Sequence, residues 1–373
     1  MQKLTTNYGH LNLYLESDSL FVYSSASYNL YGYKEESAAL FLMLESECLS
    51  QDLPPDGTKE LLSHMQSVLQ GSDSKQVLQD DFEDFGCAAA CVFTRNRCKF
   101  YKLNDWSFCF EIADKEIEAA VDKTFIHLQS KHIHNIYLDK IYVKKSKDDI
   151  YKIYVNYKLV REIKGTKKVI PALGDLIRLL YYRQSDFLIA LHAASLQYGE
   201  KTLILPGMSG IGKSTLSSYL SFYGFDLFSD ELSVITKEYE VLPIPLGVGL
   251  KEKSWDILKD HITNIDDYET YKRFDEQNVK YVFLENFVKE NFKARENIIV
   301  FPTYKPSGKT QLKSIDMIEA LQRLQESQYH LYNPLDIDIV EKWLQFLSSS
   351  ALYTLEYSDL KEASSILKVV MRS

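Results

Sequence analysis

The hydrophobic pattern of the chain changes period between residues 203 and 224. A short apolar run at 203–205 is typical of a buried strand, and a glycine-rich segment at 207–214 follows it. Apolar side chains then recur at helical spacing up to Gly224, a common helix stop: Leu216, Tyr219, Leu220 and Tyr223. The pattern therefore predicts a strand, a glycine loop and a helix, in that order.

Upstream of this segment, apolar and polar positions alternate, which is typical of half-buried strands. Residues 9–33 predict three short strands, and helical spacing predicts amphipathic helices over 34–47 and 58–70. A second stretch predicts a helix near 114–123 and strands near 87–94, 97–103, 107–112, 135–144 and 149–157. An amphipathic helix over 169–184 connects this stretch to the unit with the glycine-rich segment.

Downstream, strands are predicted near 226–228, 232–236 and 298–301, a helix over 253–263, and a mostly helical tail with one strand near 351–356. These elements group into four predicted units: a small β/α domain (1–75), a β-rich domain (76–185), the unit with the glycine loop (186–315) and a helical extension (316–373). The predicted fold class is α/β, of the mixed α+β kind.

Composition excludes several classes of protein. The chain has 373 residues, of which 45% are hydrophobic and 25% charged, and these values are normal for a globular protein. It has no apolar run near the ~20 residues that span a bilayer, so no membrane insertion is expected. A net charge of −9 disfavours nucleic-acid binding. Five cysteines and no signal-like N-terminus favour reduced thiols and a cytoplasmic protein.

Two local clusters of residues each allow a structural and a functional interpretation. Cys87, Cys91 and Cys98 could hold a structural metal, but their apolar surroundings favour a buried strand. The segment 140–168 is rich in lysine and is expected to be the solvated side of a hairpin, with a surface for an acidic peptide as the alternative.

The glycine-rich segment fits the phosphate-loop pattern G-x-x-x-x-G-K-[ST] without a mismatch. Its backbone N–H groups and the following helix N-terminus would hold phosphate oxygens, while Lys213 would reach the outer phosphates and the Ser214 hydroxyl would bind Mg²⁺. The predicted cofactors are therefore ATP and Mg²⁺, and the predicted nucleotide-binding residues are Gly207, Met208, Ser209, Gly210, Ile211, Gly212, Lys213, Ser214 and Thr215.

Two acidic residues and a histidine are the candidates for chemistry beside this loop. Asp230 and Glu231 follow a predicted strand, where carboxylates either hold a metal or accept a proton. His192 ends a neighbouring predicted strand and could touch Asp230. The predicted catalytic set is therefore Lys213, Asp230, Glu231 and His192, and the predicted metal set is Ser214, Asp230 and Glu231.

From His192 to Glu231 the sequence resembles the catalytic core of HPr serine kinase/phosphorylase. That family has a histidine 15 positions before the first loop glycine and an acidic pair beginning 17 positions after the loop lysine, and His192, Gly207, Lys213 and Asp230 keep both intervals. The resemblance implies the HPr-kinase/PEP-carboxykinase fold over 186–315. It also implies that Asp230 activates a serine hydroxyl, that Glu231 and Ser214 help to hold Mg²⁺, and that His192 pairs with Asp230.

The acceptor is a separate question, because the family's HPr-docking signatures are only echoed by 246–249 and 306–309. The order of elements in 1–75 is similar to that of the small PqqD-like domains that bind leader peptides, and a structural β-cap on the kinase core is the alternative. The first expectation is therefore a serine kinase acting on a ribosomally made precursor peptide, as in lasso-type tailoring. A kinase of a small metabolite such as free serine and a nucleotide-binding regulatory module without transferase activity are the alternatives. HPr kinases assemble as hexamers, so the resemblance also implies a homo-oligomer.

Overall fold

The structure is a computed structural model that describes the whole chain except residues 5, 7, 9, 17–18, 25–28, 35–37, 39–40, 42–58, 71–97, 131–137, 185, 209, 289, 291, 328 and 332–336. The described residues form eight α-helices and five β-sheets, so the fold is mixed α/β. Within them, no helix is both long and apolar enough to cross a membrane.

The N-terminal sheet is an antiparallel meander of four strands in sequence order. Its strands are β1 (Gln2–Leu4), β2 (Leu11–Glu16), β3 (Ser19–Ser24) and β4 (Asn29–Lys34), and helix α1 (Lys59–Leu69) follows. The three strands predicted within 9–33 and the helix predicted over 58–70 are confirmed, whereas most of the helix predicted over 34–47 lies outside the described residues. Successive side chains of β2 and β3 face two different cores: Leu13 and Leu20 belong to one, and Tyr14 and Phe21 belong to the other.

The second sheet contains five strands in the order β5 to β9. Its elements are β5 (Lys99–Leu103), β6 (Trp106–Ile112), α2 (Lys115–Phe125), β7 (Asp139–Lys145), β8 (Ile150–Val155) and β9 (Lys158–Lys164), and helix α3 (Val169–Gln184) follows. Strand β9 was not predicted, because its lysines and exposed positions hide the alternation. The turn at Asn156 and Tyr157, where both φ angles are positive, at 50° and 71°, joins it to β8.

Several lysines of the lysine-rich segment pair with neighbouring carboxylates. Lys140 pairs with Glu111, Lys152 with Glu162 at 2.6 Å, and Lys145 with Asp149 at 3.3 Å. This pairing supports the solvated-hairpin interpretation. The predicted strand at 87–94, and Cys87 and Cys91 of the candidate metal cluster, lie outside the described residues.

The remaining chain builds three more sheets and the C-terminal helices. Its elements are β10 (Phe187–Leu191), β11 (Ala193–Tyr198), β12 (Lys201–Pro206), α4 (Lys213–Ser221), β13 (Asp226–Ser229), β14 (Ser233–Thr236), β15 (Glu240–Leu242), β16 (Val248–Lys251), α5 (Glu252–Leu258), β17 (Tyr271–Lys272), β18 (Asn278–Val282), β19 (Phe292–Lys293), β20 (Glu296–Tyr304), β21 (Gln311–Ser314), α6 (Met317–Ser327), β22 (Tyr329–Leu331), α7 (Ile337–Ser348), β23 (Ala351–Tyr357) and α8 (Leu360–Arg372).

The sheet that carries the glycine loop has six strands in the order β13-β11-β12-β20-β23-β21. Strand β20 lies parallel to both β12 and β23, and the other pairs are antiparallel. A second sheet has the order β19-β15-β14-β10-β22, and a third has the order β16-β18-β17. The loop therefore leaves the carboxyl end of a central strand, which is where ligands bind in α/β sheets.

Hydrophobic cores cross two of the predicted domain boundaries. Leu173 and Leu176 of α3 pack in one cluster with Phe187 and Ala190 of β10. Phe21 of the N-terminal sheet shares another cluster with side chains of α7, including Trp343. Buried apolar contacts therefore connect described parts of the units predicted from the sequence.

Candidate functional site

The glycine loop lies between β12 and α4, in the predicted strand–loop–helix arrangement. Gly210 and Gly212 have φ of +94° and +99°, a region that glycine adopts at no steric cost. A Cβ atom at Gly212 would also lie 2.8 Å from the hydroxyl oxygen of Tyr357, so no side chain fits there. Ser209 lies outside the described residues.

Lys213 is buried inside this loop, with 6% of its surface exposed. Its ammonium group donates to the carbonyl oxygen of Gly207 and, at 3.0 Å, to that of Met208. Burial lowers the pKa of Lys213 to about 8, although the nearby carboxylates of Asp230 and Glu231 act in the opposite direction. The ammonium group of Lys213 thus donates to two neutral carbonyl oxygens, and an anionic phosphate would be a stronger acceptor than either.

Asp230 directly follows β13 and is almost completely buried, with 4% exposed. The Ser217 hydroxyl donates to its Oδ1 atom at 3.1 Å, whereas Oδ2 has no hydrogen-bond partner among the described residues. Burial, with the charge of Glu231, raises the pKa of Asp230 to about 6, and the hydroxyls of Ser214 and Ser217 partly oppose this shift. The site therefore contains a buried carboxyl with one oxygen unused.

Glu231 is held between two arginines. Arg178 of α3 contacts its Oε2 atom at 2.8 Å, and Arg273 contacts its Oε1 atom at 2.9 Å. Burial alone would raise the pKa of Glu231, but the two guanidinium groups outweigh it and lower the pKa to about 2. Glu231 is consequently ionised at any physiological pH and has its oxygens engaged by cations.

Neither arginine was singled out from the sequence. Arg273 lies in a segment, 266–295, whose charges and aromatic residues follow no clear period. Arg178 lies three positions after Asp175 in an otherwise apolar stretch of helix, and the two side chains pair at 3.0 Å. Charged residues inside an apolar helical pattern could have predicted that Arg178 contacts a further carboxylate, because a charge that is removed from water needs oppositely charged partners.

His192 directly follows β10 and faces the same site. Burial, followed by the charge of Lys213, lowers the pKa of His192 to about 4, so the imidazole is neutral at pH 7. The charge and the backbone of Glu231 act on this pKa in the opposite direction. The structure thus places His192 beside Glu231 on the wall of one cavity, and the expected pairing of His192 with the Asp230 carboxylate stays a prediction.

The loop opens into a cavity of about 560 Å³. One part of its wall carries charged or polar groups, among them Lys213, Glu231 and His192. The same wall also includes four apolar or aromatic side chains, which are Ile257, Tyr304, Tyr357 and Leu360.

The expected Mg²⁺ fits two of the three predicted ligands. The unused Oδ2 atom of buried Asp230 and the nearby Ser214 hydroxyl are oxygen donors of the kind that Mg²⁺ prefers. Glu231 does not fit, because both its oxygens already contact arginines. Among the described residues, no three His, Cys, Asp or Glu side chains gather into a metal site, so any Mg²⁺ here would depend on phosphate oxygens and water.

Comparison with known proteins adds no identification to this geometry. No protein-family model matches the sequence, and a search of curated proteins finds no match. The resemblance of the segment 192–231 to HPr kinases therefore stays a prediction, and the function must be argued from the site.

Proposed function

We propose that this protein is an ATP-dependent kinase that transfers the γ-phosphate to a serine hydroxyl. The observation that carries the proposal is the buried cluster of Lys213, Asp230 and Ser214 at a glycine loop preceding a helix. Phosphoryl transfer requires charge neutralisation, alignment and a proton acceptor, and this cluster contains a group suited to each task. The proposed cofactors are ATP and Mg²⁺.

In the proposed reaction, the loop and the N-terminus of α4 bind the triphosphate through backbone N–H groups. Lys213 exchanges the carbonyl oxygens of Gly207 and Met208 for phosphate oxygens, which are stronger acceptors for an ammonium group. Mg²⁺, if held by the Ser214 hydroxyl and phosphate oxygens, would supply further neutralisation of the phosphate charge and would leave the Oδ2 atom of Asp230 free to accept a proton.

Asp230 is the proposed proton acceptor. The acceptor oxygen forms a bond to the γ-phosphorus while the bond from that phosphorus to the ADP oxygen breaks, and the hydroxyl proton moves to the carboxylate. A pKa of about 6 suits this role, because the group is mostly ionised at neutral pH yet retains affinity for a proton. Glu231 is better suited to positioning Arg178 and Arg273 than to either metal binding or proton transfer.

A precursor peptide is the proposed acceptor. The support is the antiparallel meander of β2, β3 and β4 followed by α1, which matches part of the order of elements expected for a leader-binding domain. Strand β1 adds a fourth strand, and most of the first expected helix lies outside the described residues. An extended peptide can add to the edge of such a sheet through main-chain hydrogen bonds. A small metabolite such as free serine is the competing acceptor, and homo-oligomerisation stays a prediction.

The test is to incubate the protein with Mg²⁺, ATP and a panel of acceptors: free serine, HPr and short peptides encoded beside its gene. We expect ADP release and a mass gain of one phosphate on a peptide. Asp230→Asn should abolish transfer and retain ATP binding, whereas Lys213→Ala should weaken both. Glu319→Gln, which removes an exposed ion pair with Arg323, is the matched control and should leave both unchanged.

Three outcomes would contradict the proposal in different ways. ATP binding with no acceptor phosphorylated would favour the regulatory module. Phosphate on free serine alone would keep the kinase and replace the acceptor. Near-normal turnover in Asp230→Asn would remove Asp230 from the proton-transfer step.

A further inference from the structure

Two apolar or aromatic side chains on the cavity wall are largely exposed. Ile257 and Tyr304 are 53% and 49% exposed, and both line the pocket. Leu360 also lines the pocket. Burying such groups against a ligand would release water from apolar area, which favours binding.

Regular secondary structure fixes this surface beside the glycine loop. Tyr304 and Tyr357 end two parallel strands, β20 and β23, and are register partners across them. Their rings lie 5.6 Å apart, edge to face, an arrangement that stabilises aromatic pairs. The Tyr357 hydroxyl is 3.5 Å from the carbonyl oxygen of Gly212, so the tyrosine pair contacts the loop directly.

The helix that carries Ile257 is also connected to the loop. Ile257 lies on α5, and Ser254 of the same helix shares a hydrogen bond of 2.6 Å with the Thr215 hydroxyl. Thr215 directly follows the loop's Ser214. The exposed apolar side chains are thus held from two directions against the start of α4, where the phosphates would lie.

We propose that Tyr304 and Ile257 form the binding site for the base of the nucleotide whose phosphates the glycine loop holds. This assignment rests on the proposed function, because it needs a nucleotide in the cavity. The ligand and the cavity match in polarity: phosphates face Lys213, and a flat aromatic base faces the exposed ring of Tyr304. Tyr357, buried against the loop, keeps the Tyr304 ring in position.

Recognition through an aromatic face has a consequence for nucleotide choice. A stacked base is held by its face rather than by hydrogen bonds to its edge, so stacking tolerates different bases. We therefore expect ATP and GTP to bind with affinities within about tenfold of each other. Inorganic tripolyphosphate, which lacks a base, should bind the loop without contacting Tyr304.

The test is calorimetric titration of the full chain with MgATP, MgGTP and magnesium tripolyphosphate. Tyr304→Ala should weaken ATP and GTP binding about tenfold or more, by loss of base–aromatic stacking, and leave tripolyphosphate binding unchanged. Tyr304→Phe should retain wild-type affinity, because the ring and not the hydroxyl is used. Tyr157→Ala, which removes a 65% exposed tyrosine at the β8–β9 turn, is the matched control and should change nothing.

The outcomes separate this assignment from the proposed function. Unchanged ATP binding in Tyr304→Ala would overturn the base site and leave the kinase proposal standing. Equal weakening of ATP binding and tripolyphosphate binding in Tyr304→Ala would show that Tyr304 supports the loop, and would overturn the base site. Unchanged nucleotide binding with a raised KM for the acceptor, measured in the kinase assay, would assign Tyr304 to the acceptor and would overturn it as well. A wild-type protein that binds neither ATP nor tripolyphosphate would overturn both proposals.

Discussion

Replacing Asp230 by asparagine should stabilise the fold at neutral and alkaline pH, even though it abolishes the proposed activity. The reason is that the ionised carboxylate is buried with one oxygen unpartnered. Its pKa is raised from 3.8 to about 6, so the folded protein disfavours the charged form. The cost is fully present above about pH 6 and disappears as the pH falls below 3.8, where both folded and unfolded chains are protonated.

The magnitude follows from these two pKa values. Their difference is 6 − 3.8 = 2.2, and each tenfold change in proton affinity corresponds to about 1.4 kcal/mol, which gives about 3 kcal/mol. Asparagine keeps the oxygen that accepts from Ser217. It also buries an amide N–H, at a cost of about 1 kcal/mol, so we expect a net stabilisation of about 2 kcal/mol at pH 8.

Urea denaturation at pH 8, 6 and 4.5 would measure this effect. Asp139→Asn is the matched control, because Asp139 is equally buried but accepts hydrogen bonds of 2.8 Å on both oxygens, from Trp106 and Asn156. The amide nitrogen of Asp139→Asn would face the N–H donor of Trp106 or Asn156, so this control variant should lose about 1–3 kcal/mol of unfolding free energy. A loss of stability in Asp230→Asn at pH 8, or a gain that does not shrink with acidification, would refute the reasoning.

Two further predictions concern the charged groups around the cavity. The pH profile of kcat/KM should be bell-shaped, rising through about 6 as Asp230 ionises and falling through about 8 as Lys213 loses its proton; a flat profile across this range would contradict both assignments. Glu231→Gln should reduce the free energy of unfolding by about 3 kcal/mol at pH 7, because buried Arg178 loses a partner, whereas Glu319→Gln should cost about 0.5 kcal/mol or less. Since the pKa of Glu231 is lowered from 4.5 to about 2, its contribution should be present above pH 4.5 and be lost as the pH falls towards 2; equal losses in the two variants would contradict the buried pairing.

The sequence was informative where the determinants are local. The strand, loop and helix around Gly207 to Lys213 could be predicted because the apolar period, the glycine conformations and the motif all lie within about twenty residues. The roles of Arg178 and Arg273 could not be predicted, because both depend on contacts with Glu231 from distant parts of the chain. Arg273, for example, is 42 residues away from Glu231 in the sequence. Strands of two or three residues, such as β17 and β19, are too short to show any alternation.

The contact between α3 and Glu231 has a consequence for genetics. Arg178 belongs to a helix whose apolar side chains pack with the β5–β9 sheet, yet its guanidinium group contacts Glu231 on the cavity wall. A core substitution in that sheet, such as one at Phe108 or Ile153, would shift this helix and misplace Glu231 without touching a ligand. In a screen for inactive variants, such positions would therefore appear among the catalytic residues, and only a direct measurement of folding would tell the two groups apart.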